Sequence, residues 1–196
     1  MIIPFVTFLL LVGIILIFAR VRTDYLKLGR LSPPTAFLLV LLFALHAASS
    51  YFFLDSHLSH IRRGPVFDAA IVCLAAGLIL TWEAMVRLGW RQSLGTRLSV
   101  LRESGPYRLS RNPQIVGYAL VVIGYALLWP AWLGLVWVVI YLVIAHWMVS
   151  AEEEHLRRQF GKAYVAYCQR TPRYIGLPKP LPRPQKQKRR SKARGL

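Results

Sequence analysis

The chain has 196 residues, is 56% hydrophobic, carries a formal net charge of +17 and has a mean hydropathy of +0.45. Only 17% of its residues are charged, and the apolar ones lie in long blocks, which excludes an ordinary soluble domain and describes a polytopic membrane protein. The excess of cations comes without any nucleic-acid motif, so its role is to set topology and to meet anionic lipid head groups rather than to bind nucleic acid.

The first apolar block covers residues 2–19, about 27 Å as a helix and enough to cross a bilayer. No cation precedes it and no small-residue cleavage site follows, so it reads as a span rather than a cleaved signal. Arg20 and Arg22 close it. Ser32-Pro33-Pro34 breaks the chain before a second span over 36–54. His46 lies inside that span, where a hydrogen bond to a neighbouring helix is its expected role. His57 and His60 follow in a short loop; with no third ligand they make no metal site. The third span covers 66–86. Glu83 and Arg87, four apart on one helix face, predict an ion pair, and Trp82 and Trp90 fit an interfacial aromatic belt.

Residues 87–112 form the longest internal connection, expected to be irregular, with a short stretch lying on the membrane surface. It ends in Ser110-Arg111-Asn112-Pro113. Asn is a good N-cap and Pro is favoured at the first helical position, so a helix starts here. Its N-terminus attracts anions, and Arg111 adds a full positive charge. The fourth span, 114–129, turns at Trp129-Pro130 into the fifth, 131–149. This hairpin returns the chain to the face it left, so Arg111-Asn112-Pro113 must meet Glu152-Glu153-Glu154. A cytoplasmic helix follows over 152–169, with Leu156, Phe160, Tyr164 and Tyr167 on one face, and the Pro-, Lys- and Arg-rich segment 178–196 predicts a disordered tail. Cations crowd alternate connections, with thirteen between Arg157 and Arg194. The positive-inside rule therefore places the 87–112 loop and the tail in the cytoplasm and the N-terminus outside. Cys73 and Cys168 are too scattered for a disulfide or a zinc site. The expected fold is all-α: five transmembrane helices, a helical hairpin at spans four and five and a cytoplasmic C-terminal helix, with 1–177 as a single membrane domain.

From Leu101 to Ile175 the sequence resembles the isoprenylcysteine carboxyl methyltransferases and the related phospholipid N-methyltransferases. The residues that carry the resemblance are Gly105-Pro106-Tyr107, then Arg111-Asn112-Pro113-Gln114-Ile115-Val116-Gly117 opening a helix, then Glu152-Glu153. They continue with Phe160-Gly161, Tyr164-Val165-Ala166-Tyr167 and Thr171-Pro172-Arg173-Tyr174. The resemblance implies an integral membrane methyltransferase that uses S-adenosylmethionine and releases S-adenosylhomocysteine. It implies that the loop segment Ser99, Val100, Leu101 and Arg102, with Tyr107, holds the cofactor, together with Arg111, Asn112, Pro113 and Gln114 at the helix start and the acidic pair Glu152 and Glu153. Three positions depart from the carboxyl methyltransferase pattern. Asn112 stands for His, Ile115 for Tyr, and Met148 for an Arg that serves the substrate carboxylate. His146 is the polar group nearest that lost Arg and the candidate catalytic residue. The acceptor implied is lipophilic and would reach the site sideways between helices; Tyr118, Tyr125 and Tyr141 stand along such a route, with aromatic packing the expected role of each. Its partners are membrane lipids; no obligate protein partner is expected. Two alternatives remain open at the level of sequence: N-methylation of a phosphatidylethanolamine-type lipid, and a non-catalytic scaffold that kept the fold.

Overall fold

The computed structural model describes residues 2–53, 63–97, 100–128 and 132–177. The loop with His57 and His60, Ser99, the Trp129-Pro130 turn and the tail 178–196 lie outside the described residues. All regular structure among the described residues is helical. The elements are α1 (Ile2–Leu28), α2 (Pro33–Phe53), α3 (Pro65–Leu88), a single turn α4 (Trp90–Ser93), a 3₁₀ turn Gly105–Arg108, α5 (Pro113–Leu128), α6 (Trp132–Phe160) and α7 (Lys162–Arg170). Four of them, α1, α2, α3 and α6, are long and apolar enough to cross a membrane. The fourth expected span, α5, is apolar but has only 16 residues and is shorter than these.

Two boundaries differ from the sequence reading. The first helix continues past its apolar block to Leu28, because nothing breaks it before Gly29 at φ 65°. More consequentially, α6 does not stop at 149 and restart at 152. Ser150, Ala151 and the three glutamates are all compatible with a helix, so the backbone runs on to Phe160. It breaks only at Gly161, whose φ of 50° few other residues adopt. The acidic triplet therefore belongs to the same rigid rod as the last apolar span.

The core follows the helical period. On α6, Trp137, Ile140, Tyr141, Ile144, Ala145 and Met148 are buried at three- and four-residue spacings, against Leu10, Ile14 and Phe18 of α1 and Leu39 and Leu42 of α2. His46 behaves as expected of a polar residue between helices. Its Nε2 lies 3.1 Å from the Trp137 carbonyl, Trp137 Nε1 donates to the His46 carbonyl at 2.9 Å, and the two rings stack at 4.7 Å. Glycine lets α3 and α5 approach closely: Gly77 and Thr81 meet Gly117, while Ala70 and Leu74 meet Gly124. The two helices are thus antiparallel and in backbone contact, as small residues allow at helix interfaces in lipid.

Candidate functional site

The start of α5 is built by local hydrogen bonds. The Ser110 hydroxyl accepts from the Asn112 amide at 3.0 Å, and the Asn112 carbonyl accepts the first helical bond, from Val116, at 3.1 Å. Pro113 then supplies the first helical position at no hydrogen-bonding cost. The Asn112 side chain does not turn inward to cap α5. Its Nδ2 donates instead to the Arg173 carbonyl at 2.9 Å. The Arg111 amide donates to the Pro172 carbonyl at 3.0 Å, so residues 171–174 form a strap across the helix start.

The 100–112 loop is held between α3 and α7. Tyr107, buried, donates through its hydroxyl to the Ala84 carbonyl at 3.3 Å and accepts at its own carbonyl from Tyr167 at 2.7 Å. Burial, followed by the charge of Glu152, pushes the Tyr107 phenol well above its usual range, so it remains a neutral donor. Arg170 pairs with Glu103 at 2.7 Å, and Gln114 Nε2 donates to Ser93 Oγ at 2.7 Å, tying α5 to α4.

These contacts frame a cavity of about 430 Å³ among α2, α3, α5 and α6. Its polar end carries Ser93, Tyr107, Arg111, Asn112, Gln114 and Glu152. Its apolar arm is walled by Leu39, Phe43, Ala44 and Ala47 of α2, Met85 of α3 and Tyr118 of α5. The helices α2 and α3 both line it yet make no extended contact with one another. Val40, Ala44 and Ala47 are exposed, so this arm reaches the apolar outer surface of the bundle.

The two adjacent glutamates have different surroundings, because successive helix residues point about 100° apart. Glu152 lines the cavity, and among the described residues no hydrogen bond or ion pair holds it. Glu153 is turned away and only 2% exposed. Arg173 Nη2 donates to its Oε2 at 2.6 Å. Arg111 Nη1 lies 2.8 Å from its Oε1, a contact of charges rather than an aligned hydrogen bond, while the same Nη1 donates to Cys168 Sγ at 2.7 Å. The bond to Glu153 pushes the Arg173 guanidinium pKa up. The Nε of Arg111 is buried with no partner among the described residues.

The structure thus brings Tyr107, Arg111, Asn112, Pro113, Gln114 and Glu152 onto one wall, from opposite ends of the α5–α6 hairpin. It does not bring Val100, Leu101, Arg102, Glu153 or His146 there. Val100 and Arg102 are exposed and Leu101 half-buried, none of them on the cavity, because the 3₁₀ turn presents Tyr107 instead. His146 is exposed: it sits two residues, about 200°, around the helix from Met148, which lines the cavity. Tyr125 packs on Trp137, and Tyr141 is fully buried, donating to the Ile115 carbonyl at 2.6 Å; of the three tyrosines only Tyr118 reaches the cavity. Sequence reasoning missed the α2 wall, where the only local signal is the small pair Ala44 and Ala47 on one face, and it missed Arg173.

With all regular structure helical among the described residues, four helices of spanning length and a cavity that joins a polar mouth to an apolar arm, the chain is an integral membrane protein. The model of the phospholipid methyltransferase family matches residues 67–163, from the first turn of α3 to the start of α7, about half of the chain. The chain belongs to this family of membrane methyltransferases. No curated protein and no solved structure matches it.

Proposed function

We propose that the chain transfers a methyl group from S-adenosylmethionine to a lipophilic acceptor drawn from the bilayer. The observation that carries this reading is Glu152, an acidic side chain with no hydrogen-bond or ion-pair partner among the described residues, facing a cavity whose wall also holds Arg111, Asn112 and Gln114. Methyltransferases of this kind generally use S-adenosylmethionine, and the donor set suits that molecule. Its sulfonium and ammonium match a free carboxylate, its own carboxylate matches an arginine beside a helix N-terminus, and the amide groups of Asn112 and Gln114 suit its polar edges. When bound, the cofactor supplies an activated methyl group. The work left to the protein is to hold donor and acceptor in line and to keep water away. Arg111 and Glu152 would grip opposite charges at the polar end. Tyr107 and Gln114 would fix the mouth. The Phe43, Met85 and Tyr118 walls would receive an apolar chain entering between α2 and α3.

The antiparallel packing of α5 along the 70–81 stretch of α3 supports α5 as a fifth span, since it would share the depth of a helix that crosses. The cations at 87–111 and 157–173 support a cytoplasmic site and an outer N-terminus.

For the acceptor, an amine is favoured over a carboxylate. Arg111 is assigned to the donor's own carboxylate, and at the position of the arginine that serves a substrate carboxylate α6 carries Met148. Membranes containing the protein, incubated with methyl-labelled S-adenosylmethionine and extracted for lipid, test both points. Label in an amino phospholipid supports the proposal with an amine acceptor. Label as a methyl ester of a prenylated thiol supports methyl transfer but overturns the amine. No label, with no binding of S-adenosylhomocysteine, leaves a scaffold.

A further inference from the structure

Glu153 makes more contacts than the one that would cancel Arg111. A lone Arg111–Glu153 pair has no net charge and little attraction for an anion at the cavity wall. The structure adds a second guanidinium. Arg173, on the strap that crosses the start of α5, donates to the other oxygen of the same carboxylate at 2.6 Å. These three groups together carry one positive charge, and Arg157, 3.9 Å from the same carboxylate but 57% exposed, adds a further one that solvent screens. The Glu153 side chain is 3% exposed and that of Arg111 11%, so solvent screens the balance weakly. Backbone bonds set the distance. The Arg111 amide donates to the Pro172 carbonyl, and Asn112 Nδ2 donates to the Arg173 carbonyl, so Arg173 is held opposite Glu153 from the far side of the wall. Arg173 is not among the residues that line the cavity, and it lies beyond the 67–163 segment that the family model matches.

We propose that Arg173 is a positioning residue for the donor site: by taking up the charge of Glu153 it leaves Arg111 a cation toward an anionic group in the cavity. This rests on the reading of the cavity as the S-adenosylmethionine site, with Arg111 as partner of the donor carboxylate. Charge counting gives it an unusual signature. Arg173→Gln lowers the net charge of the cluster by one, and Glu153→Gln added to that variant restores it. Structural damage would accumulate in the double variant, whereas the charge effect would reverse.

The test is calorimetric titration of the detergent-solubilised full chain with S-adenosylhomocysteine, with thermal melting as the check on folding. Arg173→Gln is expected to weaken binding about tenfold, the scale of one contact to a charged group. The pair Arg173→Gln with Glu153→Gln is expected to regain most of that loss, and Arg173→Lys, which keeps charge and strap, to bind within about twofold of the unaltered protein. Unchanged binding by Arg173→Gln overturns the proposal, as does a double variant no better than the single one. If Arg173→Gln does not fold, Arg173→Lys decides: a tenfold loss there overturns the proposal, and near-normal binding supports it. Failure of the unaltered protein to bind overturns the donor-site reading and this inference together. Binding by the unaltered protein that Arg173 does not influence overturns this inference alone.

Discussion

A methyl group placed on Gly77 would stand 2.5 Å from the Gly117 carbonyl oxygen and 2.8 Å from the Val121 amide nitrogen. Both are backbone atoms, which cannot swing aside. Gly77→Ala is therefore expected to push α3 and α5 apart and to cost about 1–3 kcal/mol, read as a lowered melting temperature in detergent; normal melting would show that the helices have slack. At the polar end, Glu152→Gln keeps size and removes charge. Methyl transfer is expected to fall about tenfold or more, as for one contact to a charged group. Glu83→Gln serves as the comparison. Its carboxylate pairs with Arg87 at 2.8 Å on the exposed side of α3, where such a pair contributes little, and activity should be unchanged. Equal losses in both would dissociate Glu152 from the chemistry. At this scale sequence was informative about residue type but not about direction. Glu152 and Glu153 are indistinguishable in the string, and only the phase of α6 turns one to the cavity and the other to Arg111 and Arg173. The same phase separates Met148 from His146, which hydrophobic spacing alone could not do without knowing which face of α6 is covered.

Among the elements, α3, α5 and the hairpin were legible because Pro, Asn and long apolar runs mark them locally. The end of the last span was not. A change from apolar to acidic residues suggested a break, yet side-chain polarity does not interrupt a helix, and the break falls at Gly161, where a positive φ is needed. The strap 171–174 showed in the sequence only as the last piece of the family resemblance, without a role; its role lies in backbone bonds to Arg111 and Asn112 from some sixty residues away. A chain ending after Leu177 keeps every contact described around the cavity and is expected to bind S-adenosylhomocysteine as the full chain does. A chain ending after Arg170 loses the strap and should bind at least several-fold more weakly. Titrating both truncations in detergent compares them directly, and equal binding would show that the strap is dispensable.

For the molecule as a whole, α5 joins two parts of the bundle. It is locked to α3 by backbone approach at Gly77, Gly117 and Gly124, while α1, α2 and α6 share a core of larger side chains that Val122, Tyr118 and Tyr125 of α5 also enter. The apolar arm of the cavity lies where these parts face each other at α2 and α3 without packing together. Filling it from the α2 side should separate the two substrates. Ala44→Phe is expected to lower acceptor methylation at least several-fold while leaving S-adenosylhomocysteine affinity unaltered; loss of both would mean that the arm and the mouth are not independent. No local pattern foretold this division, because Ala and Gly positions acquire meaning only from the helix laid against them.

The unbroken α6 has a mechanical consequence. Its 29 residues make a rod of about 43 Å, against a hydrocarbon slab of about 30 Å. Glu152 stands twenty residues beyond Trp132 on that rod, about 30 Å away, so with Trp132 at one edge of the slab the acidic side chain would emerge level with the lipid head groups of the other. A rigid ruler of this kind ties the wetness of the acidic turn to acyl-chain length. Thicker vesicles would draw it toward oil and thinner ones lift it into water, so turnover should track the host lipid even when no lipid of that length is a substrate.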